Sequence, residues 1–79
     1  MQKNNNLSIL AVNRPGVLVK VITVISGQGI NIHDMSAHIT EDPGYTRILI
    51  EFAADEERLR LVTGQLRRQE LIKEVIILD

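Results

Sequence analysis

A chain of 79 residues has room for one domain. Without cysteine, and with a formal net charge of −1, it lacks a disulfide staple and any broad field that would draw in nucleic acid or an anionic membrane. So small a domain buries only ~60% of the surface its unfolded chain exposes, which makes pairing with a copy of itself or another protein the expected source of added stability.

Residues 1–6 are short and polar, with no apolar stretch behind a basic cluster. They are expected to form a disordered, frayed terminus and not a signal peptide, leaving residues 7–79 as a single domain. No run approaches the ~20 apolar residues that cross a bilayer. Together with the lack of cysteine, this makes the expected location cytoplasmic.

Leu7 to Val12 reads as a strand, closed by Asn13-Arg14-Pro15-Gly16. Pro15 suits the first turn of a helix. Leu18, Val21, Ile22 and Ile25 then recur at i, i+3, i+4 and i+7, the stripe of an amphipathic helix, stopped by Gly27 and Gly29. A second strand over Ile30–Thr40 changes parity between Ile30/Ile32 and Met35/Ala37/Ile39, which predicts a bulge near His33–Asp34. Glu41-Asp42-Pro43-Gly44 is a turn, and Tyr45–Ala53 a third strand with Ile48, Ile50 and Phe52 on one face. Asp55 is placed to cap a second helix, which buries Leu59, Val62 and Leu66. Gly64 within it is read as a close-packing position, and Arg58, Arg60, Arg67 and Arg68 as a solvated face. Leu71–Leu78 is the last strand. The order βαββαβ predicts an α+β, ferredoxin-like domain, a four-stranded antiparallel sheet with both helices on one face. Leu10, Val12, Leu49 and either Val75 with Ile77 or Ile76 with Leu78 would then lie on the other face. There they either meet a second subunit or stand as ordinary exposed aliphatics.

Two short segments could hold a ligand. At Asn13-Arg14-Pro15-Gly16, a helix N-terminus offers unpaired N–H groups to a carboxylate, Gly16 lets a ligand approach the backbone, and Asn13 adds an amide. Its local spacing alone is described better by a turn with an N-cap. At Gly29-Ile30-Asn31-Ile32, Asn31 breaks the apolar pattern at the start of a strand; a solvent-side position explains it as well. Taken together, a helix N-terminus and the Asn31 amide could grip a zwitterion. Catalytic chemistry is missing. No serine or cysteine has a base and an orienting acid at recognisable spacing. His33 and His38 would stand ~16 Å apart along one strand, too far to share a metal. Glu41 and Asp42 read as a solvated turn. An RNA-binding sheet would carry stacking aromatics, whereas Tyr45 and Phe52 are the whole aromatic complement. An acylphosphatase-like use of Arg14 and Asn31 is opposed by Pro15, which removes an N–H from the phosphate cradle.

Asn13-Arg-Pro-Gly16 followed by Val17-Leu18, then Val21-Ile22, Gly29-Ile-Asn31-Ile32, Thr46-Arg47 and Gln65-Leu66, resembles the ACT domain family from about Leu7 to Leu78. Within that family the pattern is similar to the small regulatory subunits of acetohydroxyacid synthase (acetolactate synthase) of branched-chain amino-acid biosynthesis. The resemblance implies a non-catalytic regulatory homodimer that binds a small amino acid, usually valine, where two ACT domains meet. The matching effector contacts would be Asn13, Gly16, Val17 and Leu18 of one chain with Asn31 and Ile32 of its partner. It also implies a separate catalytic subunit that carries thiamine diphosphate, FAD and Mg, with no cofactor held by this chain. The sequence ends where the fourth strand ends, as in short members of the family, some of which activate without responding to valine. Arg14 and Pro15 replace smaller residues, which alters the rim of the site. The alternative is an independent ACT sensor of another amino acid.

Overall fold

The structure, a computed structural model, describes residues 3–78. In chain order the elements are β1 (Lys3–Val12), α1 (Val17–Ser26), β2 (Ile32–Ile39), β3 (Tyr45–Ala54), α2 (Glu56–Arg67) and β4 (Ile72–Leu78). All neighbouring strands pair antiparallel in the order β2-β3-β1-β4, the ferredoxin-like layout expected of the sequence. β2 and β4 are the edges.

The first strand starts earlier than its hydropathy suggests. Lys3–Asn6, expected to fray, pair with Ala54–Glu51 of β3. Polar residues give no apolar signal, yet their backbones complete the ladder. Asn5 even sits inside, 5% exposed, with its amide donating to the carbonyls of Lys3 (2.9 Å) and Ala54 (3.2 Å). Met1 and Gln2 lie outside the described residues.

One core joins the helices to a single sheet face. Leu7, Ile9 and Ala11 of β1 and Ile48, Ile50 and Phe52 of β3 meet the helices there. On α2 the buried residues are Leu59, Val62 and Leu66, as the spacing predicts, with Thr63 beside them. On α1 they are Val17, Val21 and Ile25, one position round from the expected Leu18-Val21-Ile22-Ile25 stripe. Leu18 and Val24 pack only at its margin, and Ile22 is half-buried. This helix is apolar almost all round, so periodicity alone could not choose its inner face; packing on the sheet does.

The glycines divide by conformation. Gly27 is right-handed, φ −62°. Gly29 at φ +73° is therefore the one of the pair whose backbone requires glycine. Gly64 is not a close-packing position, because a Cβ there would meet nothing within 4 Å.

The predicted bulge is present. The β2–β3 register steps from Ile32↔Phe52 to Asp34↔Glu51, making His33 the extra residue. It switches Met35, Ala37 and Ile39 onto the parity of the helix-covered face. On β4, Val75 is buried and pairs with buried Ile9, so Ile76 and Leu78 are the pair on the open face. They are joined there by Leu49. The same face carries Arg47, whose Nη1 reaches Glu74 Oε1 at 3.0 Å and Ser8 Oγ at 3.1 Å. An ion pair this exposed adds under ~1 kcal/mol.

Candidate functional site

The junction from β1 to α1 is built by a type II turn. Val17 N–H donates to the Arg14 carbonyl at 3.2 Å; Pro15 takes the second position and Gly16 the third, at φ 89°, ψ −8°. Type II turns place proline and a left-handed residue in those positions. Pro15 thus stands before α1 instead of inside its first turn, its fixed φ serving the turn.

Gly16 is the N-cap of α1 and has no side chain to cap it; no acidic residue lies in the first turn either. The Leu18 and Val19 amides have no hydrogen-bond partner among the described residues. Helix α2 differs. Asp55 Oδ1 accepts from Arg58 N–H at 2.8 Å, and Glu56 and Glu57 follow. One helix answers its own positive end, and the other leaves it unanswered.

Asn13 has a partly structural duty. Its backbone N–H donates to the Gly44 carbonyl (2.9 Å) and its Nδ2 to the Pro43 carbonyl (3.1 Å), tying the junction to the β2–β3 turn. That leaves Oδ1 and a second amide hydrogen for other partners. The turn it grips is held by Asp42. Its Oδ1 accepts from Gly44 N–H (2.9 Å), and its carbonyl accepts from Tyr45 N–H (3.0 Å) and Thr40 Oγ1 (2.7 Å).

Above this junction lies an open hollow of about 590 Å³, within the ~300–1,000 Å³ usual for small-molecule sites. Asn13, Gly16, Val17 and Leu18, the effector contacts expected of one chain, all line it. Arg14 and Pro15 also line it, and Ala37 and Ile39 of β2, Thr46 of β3 and Val19 of α1 complete the wall. Sequence reasoning missed the last four as site residues, although the shared parity of Ala37 and Ile39 was a usable signal. Thr46 Oγ1 is committed to the His38 carbonyl at 3.1 Å. Val19 and Ile39 are 65% and 66% exposed, so the hollow has an apolar, open side along the β2 edge.

Asn31 and Ile32 are not part of this hollow. Val12 pairs with Tyr45 at one end of β3 and Ile32 with Phe52 near the other. At ~3.3 Å per residue the two ends are about 23 Å apart. Within one chain the two segments do not meet, because α1 runs between them; the expected site took them from different chains.

The β2 edge is open for pairing. Thr40 N–H donates to the Tyr45 carbonyl at 3.0 Å, so by the two-residue alternation of an antiparallel ladder Met35, Ala37 and Ile39 aim their backbone groups away from β3. Among the described residues no three His, Asp or Glu side chains gather to hold a metal ion, and no helix is long and apolar enough to cross a membrane.

A family model for the AHAS (acetohydroxyacid synthase) small subunit-like ACT domain matches residues 7–75. The chain belongs to this family. The curated relatives are acetolactate synthase small subunits. The acetolactate synthase small subunit of Mycobacterium avium is 33% identical over 66 residues, covering 84% of this chain and 40% of that protein. The isozyme 3 small subunit of Escherichia coli K12 is 36% identical over 62 residues, covering 78% and 38%. The chain thus spans about two fifths of the length of these relatives. Among solved structures, the acetolactate synthase small subunit of Thermotoga maritima superposes with a TM-score of 0.86 at 26% identity, over 98% of this chain and 48% of that one.

Proposed function

We propose that this ACT domain is a non-catalytic regulatory module of acetohydroxyacid synthase. It binds a small amino acid such as valine between two copies of the chain and modulates a separate catalytic subunit in the cytoplasm. The observation that carries the reading is the hollow beside the uncapped N-terminus of α1, unfinished along an edge strand whose backbone groups are free. Antiparallel strands related by a two-fold axis lay the start of one against the end of the other. Two chains joined β2 to β2 would therefore bring Asn31 and Ile32 of the second copy beside Ile39, at the open wall. In this arrangement the effector carboxylate takes the Leu18 and Val19 amides. The amides of Asn13 and the second copy's Asn31 hold the ammonium end by their oxygens, and Val17 and Leu18 meet the side chain. Val19 and Ile39 would be covered by the same contact.

The test has two arms. Calorimetric titration with valine and other small amino acids should show saturable binding to the wild-type chain, abolished by Asn13→Ala and by Asn31→Ala. Added to a cognate catalytic subunit, the chain should change acetolactate formation. Co-elution without binding of any amino acid would remove the sensing half of the proposal. Binding without any effect on the catalytic subunit would remove the other half.

A further inference from the structure

The two sheet edges are not equivalent, and the difference rests on one side chain. Val12 N–H donates to the Leu71 carbonyl at 2.8 Å, which fixes the even residues of β1 as those facing β4. In the register Leu10↔Glu74 and Ser8↔Ile76, Glu74 and Ile76 answer them, and Val75 and Ile77 aim their N–H and C=O groups outward. Left bare, this edge resembles β2: a run of free backbone groups flanked by Ile76, Ile77 and Leu78, all more than 40% exposed. It is not bare. Arg67, in the last turn of α2, donates from Nη2 to the Val75 carbonyl at 3.0 Å, and its side chain lines the same groove as Ile77. On β2, by contrast, no side chain hydrogen-bonds to the outward groups of Met35, Ala37 or Ile39 among the described residues.

We propose that Arg67 is an edge guard: it occupies the β4 edge with a charged, fully donor group and so confines strand-to-strand association of this chain to β2. A guanidinium has donors only. An incoming strand would have to displace it from Val75, and a charged side chain held over a strand is a known way of blunting a sheet edge. Two usable edges on one chain would let sheets extend without closure. A single one stops at two copies. The inference rests on β2 pairing only for the size of the wild-type species.

Native mass spectrometry and sedimentation velocity of the full chain across a wide concentration range test it. Arg67→Met keeps the aliphatic stem and removes the guanidinium. It should add species of at least twice the wild-type mass, growing with concentration. Arg58→Met, which removes the same charge from the same helix away from β4, should leave the wild-type mass. Adding Ile77→Pro to Arg67→Met removes an outward N–H and should return the wild-type mass. The proposal is overturned if Arg67→Met keeps the wild-type mass at every concentration, or if its larger species survive Ile77→Pro. Should Arg67→Met fail to fold, Arg67→Gln, whose shorter side chain cannot span the same distance, is read in the same way. A wild type that stays monomeric would sink β2 pairing instead, and Arg67→Met would then be judged by the step from monomer to dimer.

Discussion

Gly16 and Gly64 look alike in the sequence and differ in what they are for. A Cβ at either would meet nothing within 4 Å, yet Gly16 sits at φ +89° and Gly64 in an ordinary helix. Gly16→Ala should therefore lower stability by about 1–2 kcal/mol through backbone strain alone, read as a fall in the urea midpoint at constant slope. Gly64→Ala should raise it by about 0.5–1 kcal/mol. At this chain length that is a gain of several degrees in melting temperature. If Gly64→Ala were instead to cost stability, the open space beside it would be the part of the picture to abandon.

At the scale of elements, the two helix starts make a matched contrast. Asp55→Ala removes a cap from α2 and should cost about 1 kcal/mol, measured by thermal or urea unfolding. α1 has no side-chain cap to lose, and its stability comes from Val17, Val21 and Ile25 in the core. The sequence foretold such features unevenly, for physical reasons. The β2 bulge was legible because a parity switch between Ile32 and Met35 has one cheap solution. The α2 face was legible because arginines and glutamates mark its outside. The inner face of α1 was not, since Val, Leu and Ile surround it and only the sheet decides between them. Lys3–Asn6 were hidden because backbone pairing leaves no trace in hydropathy. In the site, residues adjacent in sequence, Asn13 to Leu18, were found together. The wall supplied by Ala37, Ile39 and Thr46 comes from strands that only the fold brings alongside, and Asn31 stands at the far end of the sheet.

For the whole molecule, pairing through β2 makes two predictions. Val19 is mostly exposed within one chain, so Val19→Lys should leave the fold intact while placing a charge in the contact. The expected result is a monomer by sedimentation, with amino-acid binding lost. A binding pocket shared between copies can also be repaired by mixing. Asn13→Ala and Asn31→Ala should each fail to bind alone. After chain exchange in an equal mixture, half the dimers carry one chain of each kind and one intact pocket out of two, restoring about a quarter of the wild-type sites. No restoration by calorimetry would mean that both asparagines serve the same chain's pocket or none. The distance between Asn13 and Asn31 along the sheet has a further consequence. A pocket that needs both has no version in a lone chain, so dilution weakens it and crowding of copies strengthens it. By the reciprocity of linked equilibria, amino acid must in turn draw chains together. A module of this kind would report the abundance of its own polypeptide as well as that of its ligand, and a titration at one protein concentration would measure only a slice of that surface.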